Sequence, residues 1–190
     1  MHLTDSMGWS HKADTNPGGY LKHLCRIITL ACVATLPVLT SFNARADTAD
    51  QDKDFLVKAA QSDVNEIKLS QLAEQKASNP QVKMFARKMV TDHKALEMKM
   101  KPYAMAWKVT PATDLDDDHK AEYQKLNGLT GNDFDKEYMD AMATDHHKAL
   151  DAFSKEVDRT NNPKFKMAVE KGKAVVASHM TMADDLKGKL

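Results

Sequence analysis

Four side chains of kinds that bind metal ions stand at the centres of apolar stripes in this sequence: Glu66, His93, His146 and His179. At 100° per residue, the same face of each predicted helix carries mainly Ala, Leu, Val, Met and Phe. A buried polar group costs free energy unless it is paired or bound, so this placement on four separate helices indicates a built site. Three imidazoles and one carboxylate predict a site for a single transition-metal ion, Fe, Zn, Cu or Mn.

The heights of these residues along their helices agree with convergence. Glu66 and His93 are each about 13 or 14 residues from a predicted turn at residues 79–80. The other two histidines are about 16 and 17 residues from a predicted turn at residue 162. At about 1.5 Å per residue these separations are roughly 20 Å and 25 Å, near the middle of each helix.

Three further carboxylates are secondary candidates. Glu97 lies one turn beyond His93 on nearly the same face and is a candidate second carboxylate ligand. Asp92 and Asp145 each precede a histidine by one residue, and therefore by 100° on the helix. We predict that these two aspartates orient an imidazole from a neighbouring helix.

A metal-free interpretation stands beside this one. A buried Glu–His network can specify helix register without any ion, and it would hold one or two protonated histidines that titrate near neutrality.

The chain also has 12 methionines, and Met89 and Met142 each lie one turn before a candidate histidine. A Met and His lining favours Cu(I), although Met also fills gaps in ordinary cores.

Four long amphipathic segments, without strand-like alternation, predict an all-α protein. They lie at about 52–78, 80–101, 132–160 and 163–188. Asn79-Pro80 separates the first pair and Asn161-Asn162-Pro163 the second. Proline is tolerated in the first turn of a helix, and the residue before it resists the α conformation, so each pair is predicted to be a helical hairpin.

The two hairpins are joined by a longer connection, roughly residues 102–131, which begins at Lys101-Pro102. A short helix over Asp116–Leu126 is predicted inside it. The N-cap candidates are Asp114 or Thr113 for this short helix, and Asn132 or Asp133 for the third long helix. Two hairpins with a long crossover form one known topology of the four-helix bundle.

The first quarter of the chain has the layout of a secretory signal peptide. A basic stretch precedes an apolar run at residues 27–39, and Ala44-Arg45-Ala46 forms a small-x-small cleavage site. The apolar run is shorter than the roughly 20 residues that span a bilayer. We therefore predict a signal peptide with an N-terminal lead-in at residues 1–46, and a mature domain at 47–190 without a stable membrane span.

Both cysteines, Cys25 and Cys32, lie in the predicted signal peptide. A lipoprotein acylated at Cys32 and a retained membrane anchor are the alternatives to cleavage. After cleavage no disulfide or thiolate ligand remains, so a metal site must use His, carboxylate or Met.

The 27 basic residues balance 27 acidic ones, which argues against a nucleic-acid-binding surface.

A Met-x-Thr-Asp-His motif occurs twice, at residues 89–93 and 142–146. Together with Asp54-Phe55-Leu56, the Ala-rich residues up to Glu66, and His179, it makes the chain from about residue 54 to 190 resemble the DUF4142 family. The resemblance implies a bacterial secreted protein, sometimes described as a predicted outer membrane protein, with a ferritin-like four-helix bundle and no established activity.

Ferritin-like di-iron proteins carry a Glu-x-x-His pair on two of their helices. Val90 and Val176 stand here in place of those glutamates, and His146 stands where the third helix would offer another. The bridging carboxylates are thus missing, so this departure from the ferritin-like pattern predicts a mononuclear site and argues against ferroxidase or oxygenase chemistry.

The sequence therefore favours an exported protein of the periplasm or cell envelope, with outer-membrane association left open, that binds one metal ion without catalysing a reaction. Two alternatives remain. One is a metal-free structural or stress-related envelope protein, and the other is a metal-dependent oxidoreductase in which an open coordination position activates water or peroxide.

Overall fold

The computed structural model describes residues 40–190, with side chains from Thr48 onward, and every regular element in this part of the chain is an α-helix. The helices are α1 (Thr40–Lys76), α2 (Pro80–Trp107), α3 (Asp117–Gly128), α4 (Gly131–Arg159) and α5 (Pro163–Lys187). α1 packs on α2 and α4 on α5, and the two hairpins meet along α1/α4 and α2/α5. The predicted bundle of two hairpins, with a short helix in the crossover, is confirmed.

Asparagine side chains begin the second helix of each hairpin. Asn79 Oδ1 accepts a hydrogen bond of 2.8 Å from the Gln81 N–H, and Asn162 Oδ1 accepts from the N–H groups of Lys164 and Phe165 at 3.2 and 3.1 Å. A proline follows each cap, where its missing N–H would have had no partner in the helix. The Asn-Pro signals therefore act at both predicted turns.

A buried carboxylate sets the level of one hairpin against the other. Asp135, near the start of α4, is 1% exposed and accepts from the Ser78 N–H at 3.0 Å and the Asn79 N–H at 2.8 Å. The Ser78 hydroxyl also donates to it. Because these groups belong to the turn between α1 and α2, α4 begins at the height where α2 begins.

α2 continues past Pro102, where we expected it to end, and stops at Trp107. The rings of Tyr103 and Trp107 lie 5.1 and 4.8 Å from the Phe165 ring, centroid to centroid. This packing outweighs the hydrogen bond that proline cannot donate. The helix ends instead at Lys108, which has the left-handed conformation with φ 56°.

The capping residues of α3 and α4 also differ from prediction. Asp116 caps α3 and accepts from the His119 N–H at 2.9 Å, whereas Asp114 binds Lys68. The predicted caps Asp114 and Thr113 are therefore wrong.

At the start of α4, Thr130 holds the N-cap position and Gly131 is the first helical residue, with φ 60°. Glycine adopts this left-handed conformation without strain, so the helix begins before the predicted caps Asn132 and Asp133. Asp133 lies in the first turn, where a carboxylate interacts favourably with the helix dipole.

α1 begins at Thr40, well before the predicted start at about residue 52, and runs through the predicted cleavage site at residues 44–46. The rest of the predicted signal peptide, residues 1–39, lies outside the described residues, so its cleavage stays a prediction. Within residues 40–190, no helix is both long and apolar enough to cross a bilayer.

The bundle has two apolar clusters, one toward each end. Met89 and Tyr138 belong to the cluster near the turn between α1 and α2. Met100 and Phe165 belong to the other. His93 follows the first cluster and precedes the second along α2, so the predicted site residues occupy the layer between the two clusters.

Candidate metal centre

Three imidazoles meet in this layer. His93 on α2, His146 on α4 and His179 on α5 are 3%, 1% and 0% exposed. Their ring centroids are 5.7 Å apart for His93 and His146, 5.4 Å for His146 and His179, and 5.3 Å for His93 and His179. One nitrogen of each ring lies within 4.8 Å of the others. The structure thus brings together the three predicted histidine ligands.

The hydrogen bond of His146 fixes its tautomer. Its Nδ1 lies 2.8 Å from the backbone oxygen of Met142, one turn earlier on the same helix. A carbonyl oxygen can only accept, so Nδ1 carries the proton and Nε2 carries the lone pair. Among the described residues, this buried Nε2 has no hydrogen-bond partner.

His179 is oriented by an aspartate from the neighbouring helix, as the sequence predicted for Asp92. The His179 Nε2 lies 2.8 Å from Asp92 Oδ2, which also accepts from Lys88. Burial raises the pKa of Asp92, but the hydrogen bonds from Lys88 and His179 outweigh this effect and lower it overall. The ionised carboxylate therefore accepts the Nε2 proton, and the lone pair lies on Nδ1, which no described residue contacts by a hydrogen bond.

The partner of His93 was not found from the sequence. Its Nδ1 lies 2.7 Å from Asp63 Oδ1, and its buried Nε2 has no hydrogen-bond partner in the described part of the chain. Burial raises the pKa of Asp63 and lowers that of His93, so burial favours a neutral carboxyl beside a neutral ring over an ion pair. Asp63 precedes Glu66 by three residues on the same helix face, and this spacing is the signal that could have identified it.

All three rings are neutral at pH 7. Burial lowers the pKa of His93 to about 4 and that of His179 to about 4. The pKa of His146 falls to about 3, first through burial and then through the nearby His93. A metal-free cluster would therefore not titrate near neutrality, contrary to the sequence-based expectation, because water that would solvate an imidazolium is excluded.

Glu66 lies beside the histidine group and is not one of the three converging ligands. It is 2% exposed, and its Oε1 lies 3.8 Å from His146 Nδ1, the nitrogen that already donates to a carbonyl. Its Oε2 has no hydrogen-bond partner among the described residues. Burial, with repulsion from Asp145, raises its pKa well above 4.5. Its role as a fourth ligand stays a prediction.

The other two secondary candidates are not brought to the histidine group. Glu97 is exposed, on the groove between α1 and α2. Asp145 does contact an imidazole from a neighbouring helix, as expected, but the ring is that of His119 on α3. Sequence reasoning missed His119, because nothing in its spacing relates it to the long helices.

A cavity of about 10 Å³ adjoins two of the three rings, with Glu66, His93 and His146 in its walls. This volume suits one metal ion or one water molecule and excludes an organic cofactor. The centre thus offers three buried imidazole nitrogens without described hydrogen-bond partners, two buried carboxyl groups with raised pKa values, and an adjoining cavity with room for a single ion or water molecule.

The profile of DUF4142, a domain of unknown function, matches residues 38–186. This chain belongs to the DUF4142 family. The family resemblance inferred from the repeated Asp-His motifs is confirmed. No curated protein matches the chain.

The DUF4142 bundle is similar to solved structures that include two DUF305 proteins. A DUF305 fragment from Deinococcus radiodurans has a TM-score of 0.66 and 14% identity, over 74% of this chain and 97% of that one. A DUF305 protein from Streptomyces coelicolor, named as a candidate secreted protein, has a TM-score of 0.63 and 16% identity, over 73% and 91%. CopM in its Cu(II)-bound form has a TM-score of 0.62 and 19% identity, over 73% and 96%. At these identities the likeness shows the fold alone.

Beside the DUF4142 histidine centre, His119 joins the crossover helix to the bundle. Its Nδ1 lies 2.7 Å from Asp116 Oδ1, its Nε2 lies 3.3 Å from Asp145 Oδ2, and Asn65 contacts the same cluster. The bond to Asp145, and then that to Asp116, outweighs burial and raises the pKa of His119 to about 9.

We expect this cluster to make stability fall with rising pH. Because the folded pKa of His119 is above the unfolded value of 6.5, its contribution is complete below about pH 6.5 and is lost by about pH 9. The loss is on the order of 2 kcal/mol in the free energy of unfolding, after allowance for the solvated part of the ring. Urea unfolding followed by circular dichroism at pH 6, 7.5 and 9 measures it.

The His119→Gln variant should lack this decline, whereas His147→Gln, at an exposed histidine, should keep it. An unchanged decline in His119→Gln would show that another group causes it.

Proposed function

We propose that this DUF4142 protein is an exported protein of the periplasm that binds a single transition-metal ion through His93, His146 and His179. Two observations carry the proposal. The buried nitrogens His93 Nε2, His146 Nε2 and His179 Nδ1 have no described hydrogen-bond partner. The three rings also bring one nitrogen each to within 4.8 Å of the others. Unpaired buried lone pairs are costly in a folded protein. A bound cation would satisfy all three at once.

The acceptors behind the rings support this assignment. Each imidazole has its second nitrogen held by Asp63, Asp92 or the Met142 carbonyl, which is the arrangement that orients histidine ligands in metal sites. A cation at His93 Nε2 would favour the ionised form of Asp63 and so fix the proton on Nδ1. Asp63 and Glu66 would then balance the charge of a divalent ion inside the bundle.

The donor set selects among metals by ligand type. Imidazole nitrogens suit Cu, Zn, Ni and Fe, whereas Mn prefers oxygen ligands. The Irving–Williams order then predicts tighter binding of Cu(II) than of Zn(II), and weaker binding of Fe(II) and Mn(II). CopM, one of the proteins with this fold, has been solved with Cu(II) bound, which makes copper the first ion to test.

Removing one histidine ligand at a time tests the proposal. The wild-type protein should bind one Cu(II) or Zn(II) per chain by isothermal titration calorimetry at pH 7.4. His93→Ala, His146→Ala and His179→Ala should each weaken the affinity by about 100-fold or more, since loss of a supporting residue alone weakens metal sites by about 10- to 100-fold. Glu66→Gln should weaken it by at least about tenfold if the carboxylate also binds.

His147→Ala is the matched control, because His147 neighbours a ligand but is exposed and pairs with Asp184. It should bind as the wild type does. Elemental analysis of protein taken from its native compartment completes the test. Folded protein that contains no metal and binds neither Cu(II) nor Zn(II) would contradict the proposal and favour the metal-free structural role.

A further inference from the structure

The histidine cavity and a surface groove share part of their walls. The groove lies between α1 and α4 and has a volume of about 510 Å³. Four side chains line both the groove and the cavity: Ala59, Ser62, Ala149 and Phe153. The first three are small and only partly buried. A single layer of small side chains therefore separates solvent from the cavity on this side of the bundle.

Two of the other three faces have described grooves, and neither gives a comparable approach. The groove between α2 and α5 has no lining residue in common with the cavity. The groove between α1 and α2 shares only Asp63, and that carboxylate is held by His93. In addition, α1 packs more closely on α2 than on α4. Of these three grooves, the one between α1 and α4 shares the most lining residues with the cavity.

The ring of Phe153 forms a fixed edge of this wall. It lies edge-on to Phe55, with centroids 5.0 Å apart, and it covers Gly172 on α5 so closely that a Cβ there would lie 2.5 Å from the ring. Close packing on both sides restricts the ring to its present position. The rest of the wall consists of the small side chains of Ala59 and Ser62 on α1 and Ala149 on α4.

We propose that the metal ion reaches and leaves the histidines through the α1/α4 groove, across Ala59, Ser62 and Ala149. This inference rests on the proposed function. The groove is open to water, and Ser62 contributes an oxygen to the wall that a hydrated cation must cross. A small opening between α1 and α4 alone would open the wall and leave the hydrogen bonds that orient the three rings in place, because the bond from His179 to Asp92, which joins the two hairpins, lies between α2 and α5.

Stopped-flow kinetics with Cu(II) tests the route separately from the site. Ala149→Leu thickens the wall and leaves all three histidines in the chain. It should slow both association and chelator-driven dissociation by about tenfold or more and leave the dissociation constant within about twofold, because a barrier on the route affects both directions equally. Ala59→Leu should act in the same direction and serves if Ala149→Leu folds poorly by circular dichroism.

Ala60→Leu is the matched control, since Ala60 lies next to Ala59 but lines the groove between α1 and α2. It should bind at the wild-type rate. The route is wrong if Ala149→Leu and Ala59→Leu both bind as fast as the wild type, or if Ala60→Leu slows binding as much as they do. Failure of the wild type to bind Cu(II) at all would instead contradict the proposed function.

Discussion

Replacing His146 by Leu is expected to make the metal-free protein more stable and to abolish its stabilisation by metal. His146 is 1% exposed, and its Nε2 is a buried lone pair without a described hydrogen-bond partner. An unsatisfied buried polar atom costs about 1–3 kcal/mol, and leucine fills a similar volume without it. The carbonyl of Met142 keeps its place in the helix, so no new unpaired group is created.

The two effects have opposite signs in one experiment. In the presence of a chelator, the melting temperature of His146→Leu should lie several degrees above that of the wild type, at about 2–4 °C per kcal/mol. With Zn(II) at about 1,000 times its dissociation constant, the wild type should gain about 4 kcal/mol, or on the order of 10 °C. The variant should gain nothing. Differential scanning calorimetry measures both shifts.

Met139→Leu serves as the control, because Met139 is equally buried on the same helix and contributes no ligand. It should melt close to the wild type and retain the full response to Zn(II). A His146→Leu variant that is less stable than the wild type in chelator would mean that the imidazole is a satisfied member of a polar network. That outcome would remove the main support for a metal site.

The four long helices were predictable because burial on one face imposes a periodicity that residue types reveal directly. The turns were predictable for a similarly local reason. Asn79 and Asn162 each cap the following helix with their own side chain, and a proline next to each excludes the α conformation before it. Both signals lie within a few residues of the feature that they specify.

The relative height of the two hairpins could not be read from the sequence. It is fixed by Asp135, whose carboxylate binds the backbone of Ser78 and Asn79 from across the bundle. Nothing in the local sequence distinguishes this aspartate from the other acidic residues at the start of α4. The convergence of the histidines therefore depended on a long-range contact that no periodicity reports.

In the site, too, local features were predictable from the sequence and long-range contacts were not. The three histidine ligands were predictable because each is a polar residue centred on an apolar stripe. Their hydrogen-bond partners were only partly predictable, since a partner depends on which helices are neighbours. Asp92 faces α5 and meets His179, whereas the equivalent Asp145 faces α3 and meets His119. The repeated Asp-His motif thus has two different outcomes in two different surroundings.

Of the substitutions considered for this protein, Phe165→Ala is expected to lower the free energy of unfolding the most, together with Phe134→Ala, and it should also shorten α2. Phe165 is fully buried, and its ring packs against Phe55, Tyr103 and Trp107 at centroid distances of 6.1, 5.1 and 4.8 Å. Truncating such a ring costs about 3–5 kcal/mol, against a total stability of about 5–15 kcal/mol for a domain. The midpoint of thermal unfolding should fall by on the order of 10 °C.

Fraying at the end of α2 distinguishes the loss of the Phe165 ring from the loss of any other buried ring. α2 passes through Pro102 because its last turn packs on Phe165, so without the ring that turn should fray back toward the proline. Hydrogen exchange followed by mass spectrometry should show lost protection at residues 103–107. Phe134→Ala, at an equally buried ring in the opposite cluster, should lower stability similarly and leave those amides protected. Equal exchange at residues 103–107 in the two variants would show that another interaction carries α2 past its proline.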